Sequence, residues 1–324
     1  MGIGEFEWIE RVRRAGARGG RGMVLGIGDD AALLRLPAGH DLVACVDTLV
    51  AGVHFPPDTE PTAIGWKALA VNLSDLAAMG AIPRWITLAL TVPQLQSEWL
   101  AGFMRGMQRL ARRHAVALVG GDTTRGPLSI TIQALGSVPR GTALRRDGAR
   151  SGDVLFVSGC LGDAAAGLAL VQSRLHAANL RDARAVRGRL DRPTPRIALG
   201  LALRGVASAC IDVSDGLAQD LGHVLRASGV GARIDAARLP ASPALRRLLP
   251  VLASRAQLAL SGGDDYELCF SVPASRVARV AAIAARLRLR LSCIGSVVAR
   301  RGLQVHDADG ARMALSHTGF DHFA

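Results

Sequence analysis

The sequence predicts an α+β protein of two domains. Three observations carry that expectation. Helix-like and strand-like segments alternate without the regular βα period of a barrel or a doubly wound sheet. A stretch rich in Pro, Gly and charge divides the chain near its middle, and a Gly-Asp device ends apolar runs in both halves. With 324 residues, each half has enough chain for its own core.

Apolar residues recur at spacings of three and four from Thr62 to Met79 and from Ser97 to His114. In the second segment Trp99, Phe103, Met107, Leu110 and His114 share one face, so both are expected helices. Further helices are predicted over 163–176, 194–206, 215–227 and 274–288. Apolar runs bounded by Gly, Pro and Asp predict strands at 42–47, 85–92, 116–120, 129–138, 153–158, 208–213, 257–261, 267–272 and 291–298. The boundary falls in PRGTALRRDGARSG (139–152), which sets domains of 1–145 and 146–324. VALVGGDTT in the first half echoes LALSGGDDYE in the second, and GDD occurs at 28–30 and 263–265. That echo is the mark of two related α+β domains.

The formal charge of +12 raises nucleic-acid binding as a function of a different class. The charge pattern argues against it. Lys67 is the single lysine among 39 basic residues, and the arginines come in ones and twos along expected helices. Arg286, Arg288 and Arg290 alternate with leucines, and no aromatic side chains interleave to stack bases. Lys67 lies in GWKAL, which is not a phosphate-binding P-loop, and the HRD and DFG segments of protein kinases are absent. The five cysteines are widely spaced without a CxxC pair, as reduced core thiols are, so neither zinc nor a disulfide framework is expected. No apolar run reaches the ~18 residues of a membrane span. Glu5, Glu7 and Glu10 stand where a signal peptide needs a basic start, so the expected location is cytoplasmic, with no membrane partner.

The chemistry-bearing pattern is a series of aspartates beside Gly or Ser at the ends of apolar runs. They occur in VLGIGDDAAL (Asp29, Asp30), LVACVDT (Asp47), VALVGGDTT (Asp122), SACIDVSDGL (Asp212, Asp215) and LALSGGDDYEL (Asp264, Asp265). Strand ends deliver side chains to a rigid edge, and adjoining glycines let a phosphate or a hydrated ion approach the backbone. Helix capping and turn chemistry are the plainer explanation for any one of them, Asp215 above all. Capping does not explain Asp75, in mid-helix among apolar neighbours, or Asp47, at the end of a strand. Oxygen ligands without His or Cys point to Mg²⁺ rather than zinc, and Mg²⁺ is commonly shared between a few carboxylates and substrate phosphates. A structural calcium site is the alternative, and no EF-hand loop is present.

Six segments in order, GIGDDAA (26–32), VDTLVAGVHF (46–55), NLSDLAAMGA (72–81), GGDTTRG (120–126), DVSDGL (212–217) and GGDDYEL (262–268), resemble the thiamine-monophosphate kinase family. That family belongs to the superfamily of aminoimidazole ribonucleotide synthetase. The likeness runs from GEFEWI at residue 4 to the closing TGFDHF. It implies several Mg²⁺ ions held by Asp30, Asp47, Asp75, Asp122, Asp212 and Asp215, with ATP near Gly121, Asp122, Arg146 and Ser214. It implies thiamine phosphate near His54, Asp264 and Phe320, and a homodimer whose N-terminal domains build an interface β-barrel. Three positions depart from the family pattern. Cys45 and Val46 stand where hydroxyl residues are usual, His114-Ala115 replaces a Tyr-Gly pair, and GGDD replaces GGED, which makes Asp264 one methylene shorter.

The implied reaction converts ATP and thiamine monophosphate to ADP and thiamine diphosphate. The acceptor phosphate, with a second pKa of about 6, is already a nucleophilic dianion at neutral pH. No residue is therefore assigned as acid or base. The obstacle is repulsion among about −4 on ATP, about −2 on the acceptor and about −5 on the aspartates, which several cations must offset. An aminoimidazole ribonucleotide synthetase-like ligase is the enzymatic alternative.

Overall fold

The computed structural model describes residues 20–314 together with 4, 7, 8, 10, 13, 319 and 320. Glu5 and parts of the GEFEWI and TGFDHF segments lie outside the described residues. The chain divides into two compact units, one of residues 1–76 and 81–141, the other of residues 77–80 and 142–324.

In the first unit, β1 (Met23–Leu25) and β2 (Leu33–Leu34) form a short ribbon. The main sheet holds β3 (His40–Val50), β4 (Ile82–Val92), β5 (Ala117–Arg125) and β6 (Ser129–Pro139) in the order β3-β6-β4-β5. β3 and β6 pair antiparallel along their whole length, from His40 opposite Pro139 to Val50 opposite Ser129. β4 and β5 are parallel, which requires a crossover, and α2 (Ser97–Arg113) supplies it. The larger buried set comes from one side of the sheet (Leu49, Leu88, Leu90, Ile130, Ile132) and from the helices (Leu69, Leu73 and Leu76 of α1, Pro61–Ala78; Phe103 and Met107 of α2), while Trp85, Ala117 and Val119 are buried on the other side with Met23 and Leu34 of the ribbon. The two helices meet backbone to backbone. A Cβ on Gly65 would stand 1.9 Å from the Phe103 carbonyl oxygen, and one on Gly106 1.9 Å from that of Thr62. The alternate β3 residues Leu42, Ala44, Val46 and Thr48 face outward, Leu42 at 51% and Val46 at 60% exposure.

The second unit is built on a six-stranded sheet of order β12-β9-β11-β7-β10-β8. Its strands are β7 (Val154–Ser158), β8 (Ala209–Val213), β9 (Gly231–Asp235), β10 (Glu267–Val272), β11 (Leu291–Val298) and β12 (Gly302–His306). Only β9 and β12 run parallel. Around them are α3 (Asp163–Val171), α4 (Leu180–Asp191), α5 (Ile197–Leu203), α6 (Leu217–Ser228), α7 (Pro243–Leu248), α8 (Leu252–Ser261) and α9 (Val277–Leu287). Leu217, Leu221 and Val224 of α6 and Ala256, Ala259 and Leu260 of α8 pack with Leu155, Val157, Ile211 and Val213 of the sheet in one core. Glu267, fully buried at the start of β10, accepts from Ser158 Oγ at 2.6 Å, Arg189 Nη2 at 2.7 Å and Arg196 Nε at 2.6 Å. Two cations and a hydroxyl make this charge tolerable and tie α4 and the start of α5 to the sheet. Ala77–Gly80 groups with this unit because Leu144 N–H donates to Met79 O and Arg204 Nε to Gly80 O.

The predicted strand at 257–261 is instead the end of α8. QLALS is too short for periodicity alone to separate buried strand from buried helix. Its helical state follows from Ala256, Ala259 and Leu260, which at i, i+3 and i+4 share a buried face. Strands β1, β2, β9 and β12 and helices α4 and α7 were not anticipated. No helix among the described residues is long and apolar enough to cross a membrane, and no disulfide joins any of the five cysteines.

Candidate active site

Five of the residues predicted for the site converge in the second unit. Asp212, 4% exposed, is the last residue but one of β8, opposite Leu268 of β10. The chain then turns through Ser214, Asp215 and Gly216 into α6. The Ser214 carbonyl accepts the Asp264 N–H at 2.7 Å, and the next carbonyl, that of Asp215, accepts the Phe320 N–H at 3.1 Å. Gln219, one turn into α6, donates from Nε2 to Phe320 O at 3.0 Å and to Asp215 Oδ2 at 3.2 Å. A Cβ on Gly319 would lie 2.7 Å from Gln219 Cβ and 2.9 Å from the Asp215 carbonyl oxygen, so Phe320 comes this close only with glycine before it. The Phe320 side chain remains 48% exposed.

Sequence reasoning missed the residue that holds this turn. Asp220, 3% exposed, accepts the N–H groups of Ser214, Asp215 and Gly216 on one oxygen, Oδ2, at 3.0, 3.1 and 3.1 Å. Asp215 is therefore not the cap of α6: Gly216 occupies the N-cap position, and Asp220 satisfies the leading amides. Burial, reinforced by repulsion from Asp212 and Asp215, pushes the Asp220 pKa up to about 7, while the amides of Asp215 and Gly216 oppose the rise. Consecutive amides before a helix ordinarily make an anion site. Here they are taken by the protein's own carboxylate, so phosphate charge near this turn must be met by cations or arginine. The signal in the sequence was an acidic residue in the first turn after SDG.

Arg146 is exposed, and its carbonyl accepts from Ser228 Oγ at 2.9 Å. Burial and then Arg226 and Arg146 hold the His223 pKa below its usual value, with Asp215 opposing, so Arg146 and Asp215 act on one ring. Beside them a groove of about 700 Å³ runs past Gln219, His223, Arg226, Arg301 and Leu303.

In the first unit, Asp30 is exposed on the bend after Gly28, and its N–H donates to Asp29 Oδ1 at 2.9 Å. Asp47 projects from the same side of β3 as Cys45, whose thiol contacts the Asn72 carbonyl at 3.4 Å. Asp75 lies one helical turn beyond Asn72, so Asp47 and Asp75 stand on adjoining segments. Asp122 is elsewhere. The register runs Asp47, Ile132, Leu88, Gly121 across the sheet, so Asp122 lies on the face opposite Asp47, three strands and about 14 Å away. Gly121 is required by close approach: a Cβ there would stand 2.0 Å from Leu88 O.

His54 accepts the Val50 N–H on Nδ1 at 2.9 Å, which puts the proton of its neutral ring on Nε2. Lys67, 2% exposed in α1, donates to the His54 carbonyl at 2.9 Å. Burial and then Arg113 lower the His114 pKa, and His114 ends α2 through N–H bonds to Leu110 O and Ala111 O. Among the described residues no group of three or more His, Cys, Asp or Glu could enclose a metal alone. Pairs of hard oxygen donors fit Mg²⁺ that completes its coordination with water and phosphate, and they do not fit a closed structural cage.

The model of the AIR synthase related protein N-terminal domain matches residues 28–138, and that of its C-terminal domain residues 150–308. The chain is 48% identical to thiamine-monophosphate kinase of Escherichia coli (strain K12), with 100% of this chain and 99% of that one covered. It superposes on the crystal structure of thiamine-monophosphate kinase from Stenotrophomonas maltophilia K279a with a TM-score of 0.87 at 50% identity, covering 97% of this chain and 99% of that one. A structure of AaThiL complexed with AMPPCP and TMP gives a TM-score of 0.77 at 32% identity, covering 99% and 97%.

Proposed function

We infer the activity of this chain from its family, since it belongs to the AIR synthase related proteins and, among them, to the thiamine-monophosphate kinases. It transfers the γ-phosphoryl group of ATP to thiamine monophosphate, giving ADP and thiamine diphosphate. The observation that carries this is the full-length likeness to such kinases, one solved with an ATP analogue and TMP together.

In this proposal Asp30, Asp47, Asp75, Asp122, Asp212 and Asp215 hold Mg²⁺, and the exposed Arg146, with Gly121, Asp122 and Ser214, receives ATP. Bound Mg²⁺ supplies charge neutralisation between nucleotide and acceptor phosphates. Asp220 supports the reading from the protein side, because it takes the turn's amides and leaves phosphate binding to cations. His54 offers an Nε2 proton to an acceptor phosphate oxygen. Asp264 and Phe320, hung from consecutive carbonyls, present a carboxylate and an aromatic face, the complement of a flat cation such as the thiamine rings. Catalysis is positioning and electrostatic stabilisation of a phosphate that needs no base.

The proposal includes division of the chain at 145/146, a cytosolic setting and a homodimer. Support for the last is the outward apolar side of β3, with Leu42 and Val46, on a sheet whose two outer strands pair with no further strand among the described residues. Light scattering at working concentration tests it.

The test of function compares thiamine, thiamine monophosphate and an aminoimidazole precursor as acceptors under identical ATP and Mg²⁺. Thiamine diphosphate forming only from the monophosphate is the expected result. Equal rates with free thiamine would refute the base-free mechanism, and ATP consumption only with the purine precursor would favour the ligase.

A further inference from the structure

Tyr266 is the only tyrosine in the chain, and it lies 8% exposed beside a predicted substrate contact. Its phenol donates to Asp264 Oδ1 at 3.0 Å. The segment between them is folded in an unusual way. Gly263, Asp264 and Tyr266 all have left-handed backbone, with φ of 69, 62 and 51°. Side chains other than glycine rarely adopt that region, and such strain persists only where surrounding structure imposes it.

Three restraints impose it here. Asp264 N–H bonds the Ser214 carbonyl at 2.7 Å, and Tyr266 N–H bonds the Val213 carbonyl at 2.8 Å. Between the two, the Asp265 side chain turns into the core, where both of its oxygens accept the Gly162 N–H at 3.0 and 2.9 Å. Asp265 is thus a peg, and the residues on either side of it fold toward each other. The result is one half-buried carboxylate whose Oδ1 is fixed by a buried phenol. Fixing one oxygen of a carboxylate sets the plane of the group and the direction of the other oxygen. The short aspartate side chain has only two torsions, so this bond restricts its orientation strongly.

We propose that Tyr266 is a positioning residue for the thiamine substrate, acting through Asp264. This rests on the reading of Asp264 as a substrate contact given above. A wholly structural tyrosine would serve the fold equally well bonded to a carboxylate turned inward, as Asp265 is. Tyr266 instead orients the carboxylate that shares its turn with the exposed Phe320 side chain, the second group proposed to meet the thiamine rings.

The test is a double-mutant cycle of Tyr266→Phe and Asp264→Asn, read as KM for thiamine monophosphate, KM for ATP and kcat. Tyr266→Phe should raise KM for thiamine monophosphate about ten-fold, the size of one charge-assisted hydrogen bond, and leave KM for ATP within about two-fold. The double variant should be no worse than Asp264→Asn alone, because the phenol acts only through that carboxylate. Equal rises in both KM values, no rise, or additive effects would overturn the proposal. A second measurement does not depend on the variants folding. With one tyrosine, wild-type protein labelled at the tyrosine ζ-carbon has a single NMR resonance, which should move on adding thiamine monophosphate and stay in place with an ATP analogue. An unmoved resonance overturns the proposal. Wild-type protein that fails to phosphorylate thiamine monophosphate overturns the functional reading itself, a distinct result.

Discussion

The buried ammonium of Lys67 donates a 2.9 Å hydrogen bond to the main-chain carbonyl of His54. The one lysine of a chain otherwise rich in arginine thus sits in α1 and braces the loop after β3, rather than reaching for a phosphate. Lys67→Met keeps the aliphatic stem and removes the charge and the donor. Urea unfolding should show a loss of about 1.5–3 kcal/mol. KM for thiamine monophosphate should rise with it, because the His54 ring is carried by the same loop. Unchanged stability would mean that the carbonyl is satisfied without the lysine.

Asp220 holds three successive amides on one oxygen. Asp220→Asn keeps the shape but offers a neutral acceptor, so kcat should fall roughly 10–100-fold with the fold retained. Hydrogen exchange at residues 214–216 should accelerate in parallel. Native exchange together with lost activity would show that Asp220 acts by some route other than the turn.

Asp47→Asn and Asp122→Asn should each lower phosphoryl transfer by roughly 100-fold or more at ordinary Mg²⁺ without altering thermal unfolding. In the wild type, the rate should keep climbing as Mg²⁺ passes equivalence with ATP, because there are more carboxylates than one Mg–ATP complex uses. A plateau at one equivalent, with both variants near normal, would make these aspartates structural.

Acid stability carries a signature of the α4–α7 contact. Arg247 grips Asp182 through two hydrogen bonds, with Asn179 adding a third, and together they pull the Asp182 pKa from 3.8 to about 2. A depressed carboxylate pKa means that the folded state binds this proton less tightly than the unfolded chain. The stabilisation is therefore complete above pH about 4 and is lost as pH falls toward 2. Asp182→Asn should flatten the stability profile across that window and leave its slope above pH 5 unchanged, as measured by urea unfolding at stepped pH.

Much of the candidate site was legible without coordinates, since its motifs are local. An aspartate beside glycine at the end of an apolar run is visible in six or seven letters, and so is the 3.6-residue stripe of α2. The fold class was legible for the same reason. Failure came where local signals are degenerate, as at 257–261, where the five letters QLALS, three of them apolar, suit either period.

The sequence by itself determined that aspartates beside glycine or serine stand in or next to strands and that Asp75 interrupts a helix, although Asp47 and Asp122 lie inside longer strands rather than at their ends. Tertiary structure alone decided which of these residues meet. Sheet order puts Asp47 and Asp122 on opposite outer strands, and chain return brings Phe320 to Asp215 across more than a hundred residues. The roles of Lys67 and Tyr266 were likewise decided there. A side chain's period depends on its neighbours three or four residues away. Its hydrogen-bond partner depends on which distant backbone groups the packed core leaves beside it, which no local window contains.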